Sequence, residues 1–381
     1  MTATRTVLFA GGGTGGHIYP NLAVLDELRR ISAPQCAWQA RFLISDRPLD
    51  AQILDGLDVS VTALPVRPLP RNVLQWAGFL RCWRRSRATM QRLLREDPVA
   101  AVVATGGFVS GPVVVAARRA GAEVALVNLD AVPGRANRAL VRHCTKTFSV
   151  YDVPQWPDHE RIGLPLRRSA RATIDAAQAR TVLGLTPDVP TLLVMGGSQG
   201  AQSINATMRA LVAGRGAAVD LLRRWQIIHI SGPRPGAAAQ VQQAYRNAGM
   251  AAHVLGFCDQ VGRAWAAATL AVSRAGAGSV AEAWAAAVPA IFMPYPFHRD
   301  QHQRLNALPL CAAAGAVIAE DRIEPGRNAR TLEPLLEQLL ADEGRLRQMS
   351  DALRATWPGD GATPVARWLA DKLAGGDPTG V

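Results

Sequence analysis

Short apolar runs alternate with longer amphipathic runs along almost the whole chain. The apolar runs are TVLFAG, ARFLIS, VSVTAL, VAAVVATG, EVALVNL and TKTFSVY in the first half, and TLLVMGG, WQIIHISG, AHVLGF, LAVSRAG, PAIFMPY and GAVIAE in the second. Runs of this kind are typical of strands buried on both faces of a parallel sheet, and the segments between them have helical length. The pattern predicts an α/β protein built from two doubly wound Rossmann-like domains.

The alternation is interrupted once, in the proline-rich stretch Val153–Arg168, which we interpret as a hinge. Ligands of doubly wound sheets bind at the carboxyl ends of the strands, so the two domains are expected to face each other across a ligand cleft. The predicted parts are an N-terminal domain of residues 1–163, a C-terminal domain of residues 164–345, and a helical tail of residues 346–381 that packs back on the N-terminal domain.

Composition narrows the class of protein. The chain has 381 residues, which suits two domains, and its 49% hydrophobic and 19% charged residues are typical of a folded protein. A net charge of +12 favours anionic partners such as phosphorylated substrates or an acidic lipid surface. The five cysteines form no C-x-x-C pair, which fits a reducing cytosol. No apolar run reaches the length of a membrane span, so a membrane would be met peripherally.

Four glycine-rich segments follow predicted strands and precede predicted helices. They are GGGTGG (Gly11–Gly16), ATGGFVSGP (Ala104–Pro112), GGSQGAQSIN (Gly196–Asn205) and SRAGAGSVAEA (Ser273–Ala283). Glycine lets a backbone approach a ligand closely, and a helix N-terminus favours anions. We expect the first helix to begin near Pro20. The first segment also matches G-x-G-x-x-G, the pattern of dinucleotide cofactors, but the acidic residue expected about 20 positions on is replaced by Asp46, 30 positions beyond Gly16.

Polar side chains at these junctions have a structural and a functional interpretation. Ser279 and Glu282 form the S-x-x-E pattern of a helix capping box, and Ser198 could be a plain N-cap. The segment HRDQHQRLNA (His298–Ala307) could be read as a metal site, but helical spacing places Asp300 and Gln303 on one face with Asn306, which suits sugar hydroxyls better. We predict no metal and no cofactor; the sequence has no D-x-D motif.

A basic stretch runs from Val66 to Arg95, with eight arginines and no acidic residue. Trp76, Phe79, Leu80 and Trp83 share one helical face within it. One interpretation is an interfacial segment, with aromatic rings at the lipid boundary and arginines at anionic headgroups. The alternative is a helix that packs this face on the core. No nucleic-acid-binding motif is present, and no nucleic acid is expected as a partner.

Read together, the motifs resemble the MurG family of UDP-N-acetylglucosamine transferases, which complete the lipid-linked disaccharide-pentapeptide precursor of peptidoglycan. The resemblance rests on GGGTGGHIYPNLAV, GGFVSGPVVVAA, AVPGRANRAL, GGSQGAQSIN, SRAGAGSVAEAWAAAVPAIFMPYP and DQHQRLNALPL, in that order. It implies the GT-B fold and an inverting transfer without metal. It also implies a peripheral enzyme on the cytoplasmic face of the cell membrane, with UDP-N-acetylglucosamine, a lipid-linked muramyl-pentapeptide, an anionic membrane surface and other cell-wall synthesis proteins as partners.

In the N-terminal half the resemblance implies the acceptor side of the site. Thr14, Gly15 and Gly16 would lie beside the transferred sugar and diphosphate, and His17 would be the general base, since imidazole suits that role at neutral pH. A structural alternative is that His17 only caps backbone groups of the loop. The family's H-E-Q-N segment reads Val127–Asp130 here, which leaves the acceptor open and makes Asp130 an alternative base facing the acceptor.

In the C-terminal half the resemblance implies the donor side. Glu282 would accept hydrogen bonds from both ribose hydroxyls, and Gln303 with Asn306 would bind sugar hydroxyls. The other implied donor contacts are Arg167, Ser198, Cys258 through its backbone, and the turn Ala277, Gly278, Ser279, Val280 and Ala281. Three other functions stay open at this point: a related GT-B glycolipid synthase with another lipid acceptor, a nucleotide-sugar-binding protein without turnover, and a Rossmann oxidoreductase.

Overall fold

The chain forms two compact units, each built around one parallel sheet. The computed structural model describes residues 4–32, 37–70, 72–156, 158–197 and 200–374. The N-terminal unit comprises Met1–Arg167 with Gly359–Val381, and the C-terminal unit comprises Arg168–Pro358.

The N-terminal unit contains a sheet of order β3-β2-β1-β4-β5-β6-β7, in which every described pairing is parallel. Strand order reverses between β1 and β4, and the carboxyl ends of the strands at such a reversal are where doubly wound sheets bind ligands. The elements of this unit are β1 (Arg5–Ala10), α1 (Gly15–Ile31), β2 (Trp38–Ser45), α2 (Pro48–Leu54), β3 (Ser60–Leu64), α3 (Trp76–Glu96), β4 (Val99–Ala104), α4 (Gly107–Arg119), β5 (Glu123–Asn128), α5 (Arg135–Leu140), β6 (Lys146–Ser149) and β7 (Glu160–Arg161).

The C-terminal unit repeats the architecture with a sheet of order β10-β9-β8-β11-β12-β13, again parallel throughout, and its order reverses between β8 and β11. Its elements are α6 (Ala176–Val182), β8 (Thr191–Met195), α7 (Gln202–Ala213), α8 (Ala217–Leu222), β9 (Gln226–Ile230), α9 (Ala237–Asn247), β10 (Ala251–Leu255), α10 (Val261–Ala267), β11 (Leu270–Ser273), α11 (Ala277–Ala285), β12 (Ala290–Phe292), α12 (His302–Ala312), β13 (Ala316–Ile318), α13 (Pro325–Leu340) and α14 (Glu343–Thr356).

The predicted fold class is confirmed, and each of the twelve apolar runs coincides with a strand. The two-residue strand β7 carries no apolar run, and both of its residues are exposed, so no hydrophobic pattern marks it. The first helix begins at Gly15 rather than near Pro20, because Thr14 is extended and the two following glycines already have helical geometry. Pro20 therefore lies inside α1.

The last described helix, α15 (Ala362–Ala374), belongs to the N-terminal unit, where it packs against α1 and β4. Val365 and Leu369 are fully buried there, and Thr363 donates a hydrogen bond to Glu27 of α1. Helix α14, by contrast, belongs to the C-terminal unit. The first division between the units falls after Arg167, four residues beyond the boundary predicted from sequence.

Candidate active site

His17 lies in the first turn of α1, directly after the glycine loop that follows β1. Its Nδ1 atom is 3.0 Å from the backbone oxygen of Thr105, which follows β4. A carbonyl oxygen only accepts, so Nδ1 carries the proton and Nε2 of the neutral ring is left with its lone pair. The histidine does bind a backbone group, as its structural alternative requires, but that contact uses one nitrogen and leaves the other as a base.

Glycines provide the space that the imidazole occupies. A Cβ atom added at Gly106 would lie 3.3 Å from Cε1 of His17, and one at Gly107 would lie 3.4 Å from Cδ2. Both glycines have positive φ angles, +106° and +75°, which L side chains rarely adopt. The segment ATGGFVSGP therefore creates the pocket for the histidine.

Two opposing influences act on the pKa of His17. Burial, the larger influence, lowers this pKa below its ordinary value by disfavouring the imidazolium. The Asp130 carboxylate, the hydrogen bond to Thr105 and the more weakly acting Asp50 raise it in part. The ring is therefore neutral at pH 7, the state that a general base requires.

Asp130 follows β5, the neighbour of β4, and so shares this end of the sheet with His17. Its backbone oxygen accepts a hydrogen bond from Nδ2 of Asn128, at 2.9 Å. Val127, Asn128 and Leu129 are buried, whereas Asp130 is partly exposed. Of the four residues at the altered family segment, Asp130 is the one that the fold presents at the surface.

Arg167, predicted to contact the nucleotide, is the last residue of the first segment of the N-terminal unit. Its guanidinium carbon lies 3.7 Å from the ring centre of Tyr19 in α1, a close cation–π stack. The same ring limits Gly15, because a Cβ atom there would lie 2.8 Å from the tyrosine Cε2. Thr14 and Gly16 are exposed beside it. No pattern in the sequence predicted this contact between Arg167 and Tyr19.

In the C-terminal unit Glu282 lies on α11, the helix that follows β11. Its Oε2 atom accepts a hydrogen bond of 2.9 Å from Nε1 of the buried Trp265, on α10. The capping-box interpretation of Ser279 and Glu282 is wrong, because α11 begins at Ala277 with Gly276 as its N-cap, so Ser279 is already inside the helix. The tryptophan contact orients the carboxylate instead.

The turn Ala277–Ala281 is the N-terminal part of α11, where the first backbone amides have no partner within the helix. The fully buried Asn306 of α12 donates to the backbone oxygen of Ala275, at 3.4 Å, and so supports the loop that precedes this turn. Gln303 accepts a hydrogen bond from the backbone nitrogen of Tyr295, at 2.8 Å. The predicted sugar contacts of both side chains stay predictions.

Two further residues were predicted to contact the donor, Cys258 through its backbone and Ser198. Cys258 follows β10 and packs partly against the core, where burial raises the pKa of its thiol. Ser198 lies outside the described residues; helix α7 begins at Gln202 with Ala201 as its N-cap.

A buried ion pair joins the loops after β11 and β13 to the start of α7 in this unit. Nη1 of Arg274, after β11, is 2.7 Å from Oδ2 of Asp321, after β13. Ser203 in α7 donates to Oδ2 of Asp321 at 2.6 Å and accepts from Nη2 of Arg274 at 2.5 Å. Asn328 and the backbone nitrogen of Ile323 each donate to Oδ1, at 2.8 Å. The ion pair therefore stabilises the carboxyl end of the sheet, where the loop that leads into α11 lies.

The histidine-rich segment differs from its predicted helical arrangement. Helix α12 begins at His302, so Asp300 precedes it and accepts hydrogen bonds from the backbone nitrogen and Nδ1 of that histidine. Asp300 thus does not share a helical face with Gln303, because Gln301 between them has left-handed geometry, with φ of 48°. Within the described ranges, no group of three or more His, Cys, Asp or Glu side chains is arranged to bind a metal ion. Asp46, noted in the dinucleotide alternative, pairs with Arg67 at the surface.

Helix α3 has an exposed N-terminal half and a buried C-terminal half. Trp76 and Leu80 are 47% and 43% exposed, while Met90 and Leu93 lie in the core. Trp83 packs inward, since a Cβ atom at Gly111 of α4 would lie 2.9 Å from its ring. The four residues of the predicted face therefore divide: Trp76 and Leu80 point outward, and Phe79 and Trp83 are half-buried. None of the helices described is both long and apolar enough to cross a membrane.

Comparison with known proteins agrees with this fold. Residues 7–149 match the glycosyltransferase family 28 N-terminal domain, and residues 191–357 match the C-terminal domain of the same family. Among solved structures, MurG of Acinetobacter baumannii superimposes with a TM-score of 0.70 at 24% identity, covering 96% of this chain and 99% of that one. The calicheamicin glycosyltransferase CalG4 superimposes with a TM-score of 0.62 at 15% identity, covering 99% and 100%. The fold is therefore GT-B.

Curated relatives match along almost their whole length. The protein of Leifsonia xyli subsp. xyli is 34% identical over 373 residues, which is 96% of this chain and 98% of the relative. That of Clavibacter sepedonicus is 36% identical over 375 residues, 96% of each. Both are named UDP-N-acetylglucosamine–N-acetylmuramyl-(pentapeptide) pyrophosphoryl-undecaprenol N-acetylglucosamine transferase. The resemblance inferred from the motifs is thus confirmed, and the chain belongs to the MurG family, within glycosyltransferase family 28.

Proposed function

We propose that the chain transfers N-acetylglucosamine from UDP-N-acetylglucosamine to the muramyl sugar of undecaprenyl-pyrophosphoryl-MurNAc-pentapeptide, the step from lipid I to lipid II in peptidoglycan synthesis. The observation that carries this proposal is the match of 96% of the chain to relatives named for that reaction. The oxidoreductase alternative is set aside, because both domain models are those of a glycosyltransferase family.

In the proposed mechanism Nε2 of His17 takes the proton of the acceptor hydroxyl as that oxygen attacks the anomeric carbon. The Thr105 carbonyl holds the required tautomer, and the glycine pocket fixes the ring. Attack on the face opposite the leaving diphosphate inverts the anomeric centre. Asp130 increases the proton affinity of the ring, which supports a role beside His17 rather than instead of it.

The donor side is assigned to the C-terminal unit. The free amides at the start of α11, with the positive end of the helix dipole, would stabilise the leaving diphosphate. Glu282, oriented by Trp265, would accept from the ribose hydroxyls. Arg167 would supply a further positive charge once its guanidinium, stacked on Tyr19, contacts the nucleotide. We propose that no metal-ion cofactor takes part, which rests on the lack of a D-x-D motif in the sequence.

Labelled UDP-N-acetylglucosamine offered with the muramyl lipid or with diacylglycerol in detergent tests the proposal. Transfer to the muramyl lipid supports it, and transfer only to diacylglycerol would favour the glycolipid synthase alternative. Donor binding without turnover on either acceptor would favour the nucleotide-sugar sensor, for which the altered segment Val127–Asp130 is the motivating observation.

We expect Glu282→Gln to weaken UDP binding by roughly tenfold. A hydrogen bond between a hydroxyl and a charged carboxylate contributes about 1.5 kcal/mol, and the variant loses this contribution. Isothermal calorimetry with UDP measures the loss. The difference between the two proteins should shrink with 2′-deoxy-UDP, which lacks one of the hydroxyls. A change in thermal stability with unchanged UDP affinity would contradict the ribose assignment.

We also propose that the exposed start of α3 binds the cytoplasmic face of the membrane. Val73 and Leu74 are 85% and 91% exposed immediately before the helix. Beside them a cavity of about 530 Å³ is lined mainly by apolar atoms of Leu69, Phe79 and their neighbours. The stretch Val66–Arg95 also carries eight arginines and no acidic residue in its sequence, and such a basic, partly apolar composition is that of an interfacial segment.

Leu74→Glu combined with Trp76→Glu is therefore expected to reduce binding to anionic vesicles at least tenfold in a flotation assay, since two apolar contacts are lost and two negative charges added. Both side chains are exposed, so folding should be unaffected; Trp83 is left intact because it packs on Gly111. Val182→Glu, at an exposed apolar position of the C-terminal unit, is the control. Equal vesicle binding of wild type and double variant would refute the assignment.

A further inference from the structure

A fully buried carboxylate lies directly beneath the glycine loop that precedes His17. Asp50, in the first turn of α2, has no solvent exposure. Its Oδ2 atom accepts three hydrogen bonds: from the backbone nitrogen of Gly13 at 2.7 Å, and from the backbone nitrogen and Oγ of Ser45 at 3.1 and 2.5 Å. Oδ1 has no hydrogen-bond partner among the described residues. A buried charge with half of its hydrogen-bonding capacity unused is costly, so this one requires an explanation.

The same short segment binds the other side of Gly13. Nη1 of Arg47 donates to the backbone oxygen of Gly13 at 2.8 Å, and the Arg47 guanidinium lies 5.6 Å from the ring centre of Phe108. Gly13 has a φ of +88°, and a Cβ atom at Gly12 would lie 2.5 Å from Oδ2 of Asp50. Both polar backbone atoms of Gly13 are thus bound by residues 47 and 50, and a side chain at position 12 would clash with the Asp50 carboxylate.

The Gly13 contacts lie only four residues before His17, the proposed base. Thr14 is the N-cap of α1, and His17 donates its backbone N–H to the oxygen of Thr14, so the geometry of Gly13 sets the direction of the first helical turn. The ionised groups that act on the imidazole are the carboxylates of Asp130, from the loop after β5, and of Asp50, from α2. Cations also lie near this turn: Nη1 of Arg47, the N-cap of α2, binds the Gly13 oxygen, and Arg167 stacks on Tyr19 of α1.

We propose that Asp50 is a positioning residue of the reaction assigned above. Its carboxylate fixes the Gly13 amide, and through it the first turn of α1 and the ring of His17. Its negative charge stabilises the imidazolium that forms when Nε2 takes the proton of the acceptor hydroxyl. This inference rests on the proposed function for its kinetic part and on the structure alone for its electrostatic part.

The electrostatic part is tested without substrate. In the full chain, the His17 imidazole is titrated by NMR in the wild type and in Asp50→Asn. Because a carboxylate that favours the imidazolium is removed, the His17 titration should move to lower pH, by about half a pH unit or more. Asp55→Asn, an exposed carboxylate at the end of the same helix, should leave it unchanged. A His17 titration that is the same in Asp50→Asn and wild type would overturn the proposal.

The positioning part is read from steady-state kinetics with the muramyl lipid. Asp50→Asn should lower kcat about tenfold or more, with the KM for the donor changed less than threefold, and the acid limb of the pH–rate profile should move to lower pH with the NMR titration. If the wild type transfers no sugar while the NMR shift is seen, the proposed function fails and the electrostatic link stands.

Asp50→Glu covers the case in which the asparagine variant does not fold. It retains the charge, so the His17 titration should stay near that of the wild type. The longer side chain must displace the loop, so kcat should still fall about tenfold. Wild-type kcat in Asp50→Glu would show that catalysis does not depend on where this carboxylate holds the Gly13 amide, and would overturn the positioning role.

Discussion

His17→Ala is expected to lower kcat about 10²- to 10⁴-fold while the dissociation constant for UDP-N-acetylglucosamine changes less than twofold. The range is that of a lost general base, and the donor contacts are assigned to the other unit. Single-turnover kinetics and calorimetry with the donor measure the two quantities. His143→Ala, in the same unit but at the end of a short 3-10 helix, is the matched control.

The pH dependence of kcat provides a second test of His17→Ala. Burial lowers the pKa of His17 below 6.5, and the base is active when deprotonated, so wild-type kcat should fall only as pH drops below the usual histidine range. In His17→Ala this fall of kcat at low pH, the acid limb of the pH–rate profile, should be absent. Equal losses of kcat and donor affinity, or a limb that persists in the variant, would remove His17 from the role of base and direct attention to Asp130.

Asp321→Ala is expected to reduce the free energy of unfolding of the C-terminal unit by about 3–5 kcal/mol, because it leaves the buried guanidinium of Arg274 without its partner. Urea unfolding of the full chain, followed by a probe of this unit, measures the change. Glu320→Ala is the control: this neighbouring carboxylate pairs with Arg322 at the surface, and its loss should cost less than about 1 kcal/mol.

The sign of the pH effect follows from the environment of Asp321. Burial opposes its ionisation, but the hydrogen bonds from Ser203 and Asn328 and the charge of Arg274 outweigh burial, so the pKa lies below its ordinary value. Such a group contributes stability above its unfolded pKa of about 3.9 and loses it as pH falls through the lower folded value. The stability difference between wild type and Asp321→Ala should therefore shrink in acid. A difference that stays constant down to pH 3 would contradict the ion-pair explanation.

The sequence was sufficient for the fold because each buried strand of a parallel sheet leaves a continuous apolar run. The sequence also singled out His17 as a candidate, since a titratable side chain directly after a glycine loop is a local pattern; its role as the base stays a prediction. The misreadings have local causes as well. At Ser279 the S-x-x-E spacing is present, but the helix starts two residues earlier at Ala277, so spacing alone could not establish the cap.

The residues that the sequence did not reveal act through contacts between distant segments. Asp50 is 37 residues from Gly13, and Thr105 is 88 residues from His17. Trp265 reaches Glu282 from another helix. Such pairs depend on how loops at one end of a sheet meet, and a single sequence contains no measure of that proximity. An acidic residue shortly after a strand, as in the SDRPLD segment, is the one signal that could have drawn attention to Asp50.

The position of α15 has a consequence for biosynthesis. Strands β1 to β7 are among the first parts of the chain to leave the ribosome, yet the helix that buries Val365 and Leu369 against α1 is the last described element to be translated. Until it emerges, the apolar surface of α1 that packs against this late segment is uncovered. All described elements of the C-terminal unit are translated before α15. That unit can therefore finish folding while the N-terminal unit still lacks its last helix.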